Sequence, residues 1–127
     1  MQKRRVQNRM EIVATKYFKA DVKFYLKKRR FSKINDDIDT VTVELEQGNL
    51  LGDRLEDINV PENIAVYKVR IANSSTNVGK SHGFRLIYYV VIEGKIYLIA
   101  IYSKKDDNRV PSDKQIELLI KAVLEEE

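Results

Sequence analysis

No cysteine occurs among the 127 residues, which excludes a disulfide scaffold, a thiol nucleophile and any sulfur-ligated zinc site. One histidine rules out a multi-histidine metal centre and leaves little basis for a histidine-centred triad. Tryptophan is absent, and two prolines and five glycines are too few for a collagen-like or long disordered segment. No apolar run approaches the ~20 residues of a membrane-spanning helix. The basic opening Met1-Gln2-Lys3-Arg4-Arg5 has no apolar stretch of secretory type behind it. The expectation is a cytoplasmic protein with no membrane partner. What is present fits one globular unit, with 43% apolar and 33% charged residues. We read it as a basic tail over 1–9 and a single domain over 10–127.

The net charge of +4 is distributed in blocks. Residues 1–33 carry 12 basic and 2 acidic side chains, and residues 34–63 carry 1 and 9. Residues 64–111 return to 8 basic and 3 acidic, and 112–127 carry 2 and 5. A chain polarised in this way can offer a positive surface to a polyanion.

Periodicity gives the order β-α-α-β-β-β-α. Glu11–Thr15 is a short β-prone run. From Lys16 to Arg30 the apolar residues Phe18, Val22 and Tyr25 repeat at helical spacing. Ile34, Ile38, Val41 and Leu45 predict a second helix, with Asn35 as its N-cap, Asp36 and Asp37 at the positive end of its dipole, and Gly48 at its stop. Leu50–Asn63 reads as loop. The period then falls to two. Tyr67, Val69 and Ile71 alternate with Val66, Lys68 and Arg70 across 64–72. A mostly apolar strand follows over 83–92, then a tight turn at Glu93-Gly94 and a strand over 95–104. In that last strand strict alternation puts Ile96, Leu98, Ala100, Tyr102 and Lys104 on one side. Ser112-Asp113-Lys114-Gln115 behind Pro111 matches a capping box, and Ile116, Leu119, Ile120 and Val123 form the stripe of a closing helix. The fold class expected is α+β, a curved antiparallel sheet with an N-terminal helical hairpin and a C-terminal helix, the helices packed on one side.

Gly79-Lys80-Ser81 is not a phosphate loop. The second glycine would stand at Ser74, and a strand follows where a helix is needed. Asp36, Asp37 and Asp39 are explained by the start of a helix better than by a metal. The strand cations form a more informative group. In an antiparallel meander the end of 64–72, the start of 83–92 and the end of 95–104 meet at one edge, so Arg70, Arg85, Tyr102 and Lys104 can converge, with Lys68 one pleat further in and Lys80 and His82 on the loop above. The alternative is that these charges merely guard an exposed edge. An arginine opening an otherwise apolar strand fits that alternative less well, because a buried guanidinium needs a partner or a ligand.

These segments resemble the RelE/HigB toxins of bacterial type II toxin–antitoxin systems. The resemblance rests on Val66-Tyr67-Lys68-Val69-Arg70-Ile71, then Gly79-Lys80-Ser81-His82-Gly83-Phe84-Arg85-Leu86-Ile87-Tyr88-Tyr89, then Ile96-Tyr97-Leu98-Ile99-Ala100-Ile101-Tyr102-Ser103-Lys104. It implies a RelE-like domain and a ribosome-dependent endoribonuclease that cuts mRNA in the A site without metal or cofactor. It further implies a cognate antitoxin, commonly a helix-turn-helix DNA binder. On this resemblance Arg70 and Arg85 would hold the scissile phosphate, Lys68 would accept a proton, Lys104 would donate one or stabilise charge, and Tyr102 would stack or hydrogen-bond. Lys80, His82, Lys105 and Arg109 would add RNA contacts, and the basic first helix would grip ribosomal RNA through its phosphates. His82 stands where the family has glycine, so it is either a proton-transfer group or a solvated loop residue. No aromatic residue occurs in Asp106–Pro111, where some RelE-type enzymes stack a base. Two other readings of the same patch are a ParE-like gyrase poison and a non-catalytic RNA- or protein-binding module.

Overall fold

A computed structural model describes residues 9–126, so the basic tail expected over 1–9 lies outside the described residues except for Arg9. The elements run β1 (Glu11–Ala14), α1 (Lys16–Lys27), α2 (Ile34–Glu46), β2 (Asp53–Arg54), β3 (Ile64–Ile71), β4 (Phe84–Val91), β5 (Lys95–Ser103) and α3 (Asp113–Glu126), with single 3-10 turns at Lys80–His82 and Asp107–Arg109. The class is α+β, with an open five-stranded sheet in the order β1-β5-β4-β3-β2.

Two expectations about the sheet need correcting. It is mixed rather than antiparallel, because β1 lies parallel to β5, pairing Glu11 with Lys95 through Ala14 with Leu98. Its helices also cover both faces. Phe18 and Tyr25 of α1 and Ile34, Ile38, Val41 and Leu45 of α2 pack on Val69, Ile71, Phe84, Leu86 and Tyr88. Ile116, Ile120 and Val123 of α3 pack on the opposite face, against Val66, Ile87, Tyr89, Ile99 and Tyr102. The physical reason is that β4 and β5 are apolar on both sides, so one layer of helices would leave half of their surface in water.

β1 stops at Leu98, which leaves the far end of β5 with an unpaired edge. Side chains around α1 complete it. Thr15 Oγ1 donates to the Leu98 carbonyl, the Asp21 carboxylate accepts from Ile101 N–H at 3.0 Å, and the Tyr25 hydroxyl accepts from Ser103 N–H at 2.8 Å. Buried backbone groups must find partners, and here two positions of one helix and its cap supply them. Thr15 also caps α1, its Oγ1 accepting from Phe18 N–H, so the expected strand ends one residue early.

The N-cap of α2 is Lys33, not Asn35, and its side chain makes no capping bond. The cap comes from elsewhere in the chain, where Ser75 Oγ accepts from Lys33 N–H at 2.9 Å. Gly48, at φ +90°, follows the helix end as its left-handed stop. At α3 the capping box closes in both directions, Gln115 N–H to Ser112 Oγ at 3.1 Å and Ser112 N–H to Gln115 Oε1 at 2.8 Å.

One irregularity decides where the site lies. Ile87 pairs with Ala100 and Tyr88 pairs with Leu98, so Ile99 is an extra residue in β5. Ile99 and Ala100 both face α3, whereas Ile96, Leu98 and Ile101 face the other helices. Strict alternation would have put Tyr102 with Ile96 and Leu98. The bulge turns it onto the α3 side instead.

Candidate functional site

β3, β4 and β5 come into register at one row. Arg70 pairs with Arg85, and Arg85 pairs with Tyr102. Partners in register share a face, so two guanidinium groups and a phenol stand side by side across three strands, on the α3 side. Lys68 is two residues back on β3 and therefore on the same face, opposite Ile87. Arg70 is exposed, Lys68 is half-buried, and Tyr102 is buried.

Arg85 is only 7% exposed. Its Nη1 donates to the carbonyls of Lys80 at 3.1 Å and Phe84 at 3.2 Å, and its Nη2 donates to that of Ser81 at 3.1 Å. These acceptors are dipoles, not anions. Among the described residues the ion pairs are Lys16–Glu126, Arg29–Asp106 and Arg109–Asp21, and none includes a member of the row. Burial and then the charge of Arg70 lower the pKa of Arg85, partly opposed by Tyr102. Burial raises the pKa of Tyr102, against the pull of Arg85, so its hydroxyl keeps its proton at neutral pH. Asp53 stands opposite Lys68, but among the described residues no carboxylate pairs with Arg70 or Arg85, and the face keeps their positive charge. An anion with several oxygens, such as a phosphodiester, suits such donors.

The loop above the row is built as a clasp. Asn73 and Val78 form an isolated bridge, and the buried carboxylate of Asp37 (6% exposed) accepts from Ser74 N–H at 3.0 Å and Ser74 Oγ at 2.6 Å. The loop is therefore fixed to α2 at one end and to Arg85 at the other. Gly83 lies against β3, where a Cβ would sit 2.1 Å from the Ile71 carbonyl oxygen. Its own carbonyl accepts from Lys104 N–H at 2.9 Å, which seats Lys104 beside the row as β5 ends.

The remaining candidates separate. Lys80, in the 3-10 turn, lines the same cleft as Lys68 and Arg70. His82 and Lys105 line another, smaller cleft with Arg29, Phe31 and Asp106, on the side of the α1–α2 connection. The His82 ring exchanges a hydrogen bond with Ser81 Oγ at 3.0 Å. Arg109 pairs with Asp21 at 3.1 Å and lies 3.8 Å above the Phe24 ring, so its charge is committed internally. Four of the nine positions, Lys68, Arg70, Arg85 and Tyr102, therefore share one face, Lys104 closes its edge, Lys80 lies at the open β3 edge towards α2, and His82, Lys105 and Arg109 lie apart.

Sequence reasoning assigned Asp37 to the dipole of α2 and missed its role in the clasp. The signal was in its position, since Asp37 falls inside the apolar stripe Ile34, Ile38, Val41, Leu45 and not on the outer face. Asp36 and Asp39, beside it in sequence, are exposed. Among the described residues no group of three possible metal ligands gathers, and no helix is long and apolar enough to cross a membrane. No protein-family model matches the chain, and no curated protein matches it.

Proposed function

We propose that this chain is the toxin of a bacterial type II toxin–antitoxin pair, a RelE/HigB-like endoribonuclease that cuts mRNA in the ribosomal A site and is silenced by a cognate antitoxin, expected to be a helix-turn-helix DNA binder. One observation carries the reading. Arg70, Arg85 and Tyr102 form a row across three strands with Lys68 on the same face, and among the described residues neither arginine makes an ion pair. A structural arginine as buried as Arg85 would ordinarily be matched by a carboxylate.

In this reading the substrate's 2′-oxygen attacks the adjacent phosphorus while the bond from phosphorus to the 5′-oxygen breaks. Lys68, acting as its neutral amine, takes the proton from the 2′-hydroxyl. Arg70 and Arg85 hold the non-bridging oxygens as charge builds on them, and the Tyr102 hydroxyl donates a further hydrogen bond. Lys104 returns a proton to the leaving 5′-oxygen. The products are a 2′,3′-cyclic phosphate and a 5′-hydroxyl, and no metal is needed. Arg109 has no part in this scheme, because Asp21 already occupies its charge. Lys19, Lys23 and Lys27 are exposed at four-residue spacing on α1 and supply the contacts to ribosomal RNA phosphates.

The test is primer-extension mapping of mRNA ends after induction in a growing bacterium, with ribosomes active or blocked. Cuts that appear within translated frames and vanish when ribosomes are blocked are expected. DNA damage with intact mRNA would point to a gyrase poison, and unimpeded growth to a plain binding module. Either result overturns the proposal.

A further inference from the structure

β2 is only two residues long and leaves β3 uncovered beyond Lys68. Leu55 N–H reaches the Val66 carbonyl, so the even-numbered residues of β3 direct their backbone groups outward at this edge. The N–H and C=O of Arg70 therefore face a cleft of about 830 Å³ whose other wall is α2, with Thr40, Val41 and Glu44. Leu51 and Gly52 bound one end. The contact between Asp37 and Ser74 bounds the other.

An uncovered strand edge invites a further strand, but this slot is too short for one. The helix stretch from Asp37 to Glu44 spans roughly 10 Å, about three residues of extended chain. A flat polar ring fits better. The adjacent N–H and C=O of Arg70 offer one donor and one acceptor in a line. Glu44 spends Oε1 on the Asn49 amide at 2.8 Å and keeps Oε2. Thr40 Oγ1 donates to the Asp37 carbonyl at 2.7 Å and can still accept. Carboxylates repel phosphate but accept from amino groups, and the cations Lys68, Arg70 and Lys80 line the same cleft with Asp53 and Glu44.

We propose that this slot takes an unpaired nucleobase of the RNA, with its flanking phosphates on Arg70 and Lys80, and that Glu44 favours a base carrying an exocyclic amino group over uracil. The inference rests on the RNA-binding reading above and adds a specificity pocket beside the cation row. Bases in single strands are free to splay out in this way, and their edges are read by hydrogen bonds.

The test uses fluorescein-labelled 2′-O-methyl oligomers of adenine, cytosine and uracil, which lack the attacking hydroxyl, with binding followed by anisotropy. The adenine and cytosine oligomers are expected to bind about tenfold tighter than the uracil oligomer. Thr40→Phe, on an exposed position of α2, crowds the slot beside Glu44 and should lower both towards the uracil value, and Glu44→Gln should narrow the gap. Equal binding of all three oligomers, unmoved by Thr40→Phe but weakened by Arg70→Ala, overturns the slot and leaves the RNA-binding reading standing. No binding of any oligomer, free or presented in the ribosomal A site, overturns both.

Discussion

Arg85 and Arg109 flank the same strand and are treated in opposite ways. Arg109 has the Asp21 carboxylate at 3.1 Å and the Phe24 ring beneath it, and the neighbouring Arg29 has Asp106 at 2.8 Å. Arg85 is the more buried and has only backbone carbonyls. On the α1 flank, positive charge is cancelled within the fold and fastens the loop after β5. On the α3 flank it is held in place without cancellation. Carbonyl dipoles fix the direction of the guanidinium yet leave its net charge and spare N–H groups to an incoming anion. Charge count alone would not separate the two flanks. The partner does, carboxylate in one case and carbonyl in the other.

The largest effect expected from breaking this contrast is on RNA cleavage. Arg85→Ala should lower ribosome-dependent cleavage by about two to three orders of magnitude, the loss typical when one preorganised donor to a developing anion is removed. Because Arg85 also holds the carbonyls of Lys80 and Ser81, part of that loss comes through the loop. Arg70→Ala separates the two contributions. It is exposed, so it should cost cleavage without lowering the melting temperature. Arg109→Ala should do the reverse, lowering the melting temperature and sparing cleavage by the folded fraction. Cleavage unchanged in Arg85→Ala, in protein shown to be folded, removes the row from the mechanism.

Much of this contrast was legible in the sequence, and the part that was not has a definite cause. Lys68 and Arg70 alternate with apolar residues, so their shared face could be read directly. The bulge could not. Lys95–Ser103 is apolar on both sides, and no polar residue marks the position at which alternation slips by one. The two-sided apolar character of β4 and β5 is visible in the sequence and calls for cover on both faces, but nothing local in Asp113–Glu126 says that α3 takes the far one. The parallel pairing of β1 depends on contacts across more than eighty residues that no local pattern records. The partners of the arginines were likewise hidden. Asp21 and Asp106 look like ordinary surface acids until α1 and the loop after β5 are brought together.

The clasp offers a second, smaller break, this time in stability. Asp37→Ala removes the acceptor for Ser74 N–H and Oγ and should cost about 2–3 kcal/mol, within the range for hydrogen bonds to a charged group plus the gap left behind. Urea unfolding measures it, and cleavage should fall as well, since the loop positions Lys80. Tyr25→Phe probes the α1 flank. The hydroxyl accepts from Ser103 N–H and donates to Asp106, so its loss leaves a buried N–H unpaired and should cost about 1–2 kcal/mol. Its pKa is pushed up to about 12, chiefly by burial, so no titration of Tyr25 enters near neutral pH. If Asp37→Ala proves no more damaging than an exposed substitution such as Asp39→Ala, the loop is not held from α2.

The smallest effect is the most specific to the paired flank. Burial raises the pKa of Asp21 above its usual 3.8, and the backbone N–H of Ile101 and the charge of Arg109 only partly offset it. A carboxyl whose folded pKa exceeds its unfolded one binds more protons in the native state between the two values. Its contribution to stability therefore improves as pH falls through that window and worsens as pH rises out of it. Asp21→Asn lacks this titration. The stability of the parent relative to Asp21→Asn should thus rise on acidification from about pH 6 towards pH 4, by less than about 1 kcal/mol for a group still partly open to solvent. Urea midpoints for both proteins across that range give the sign. A parent that instead loses ground to Asp21→Asn on acidification would mean that Arg109 outweighs burial at Asp21. The α1 flank would then owe its stability to the ion pair itself, and the contrast with the uncancelled row would be sharper still.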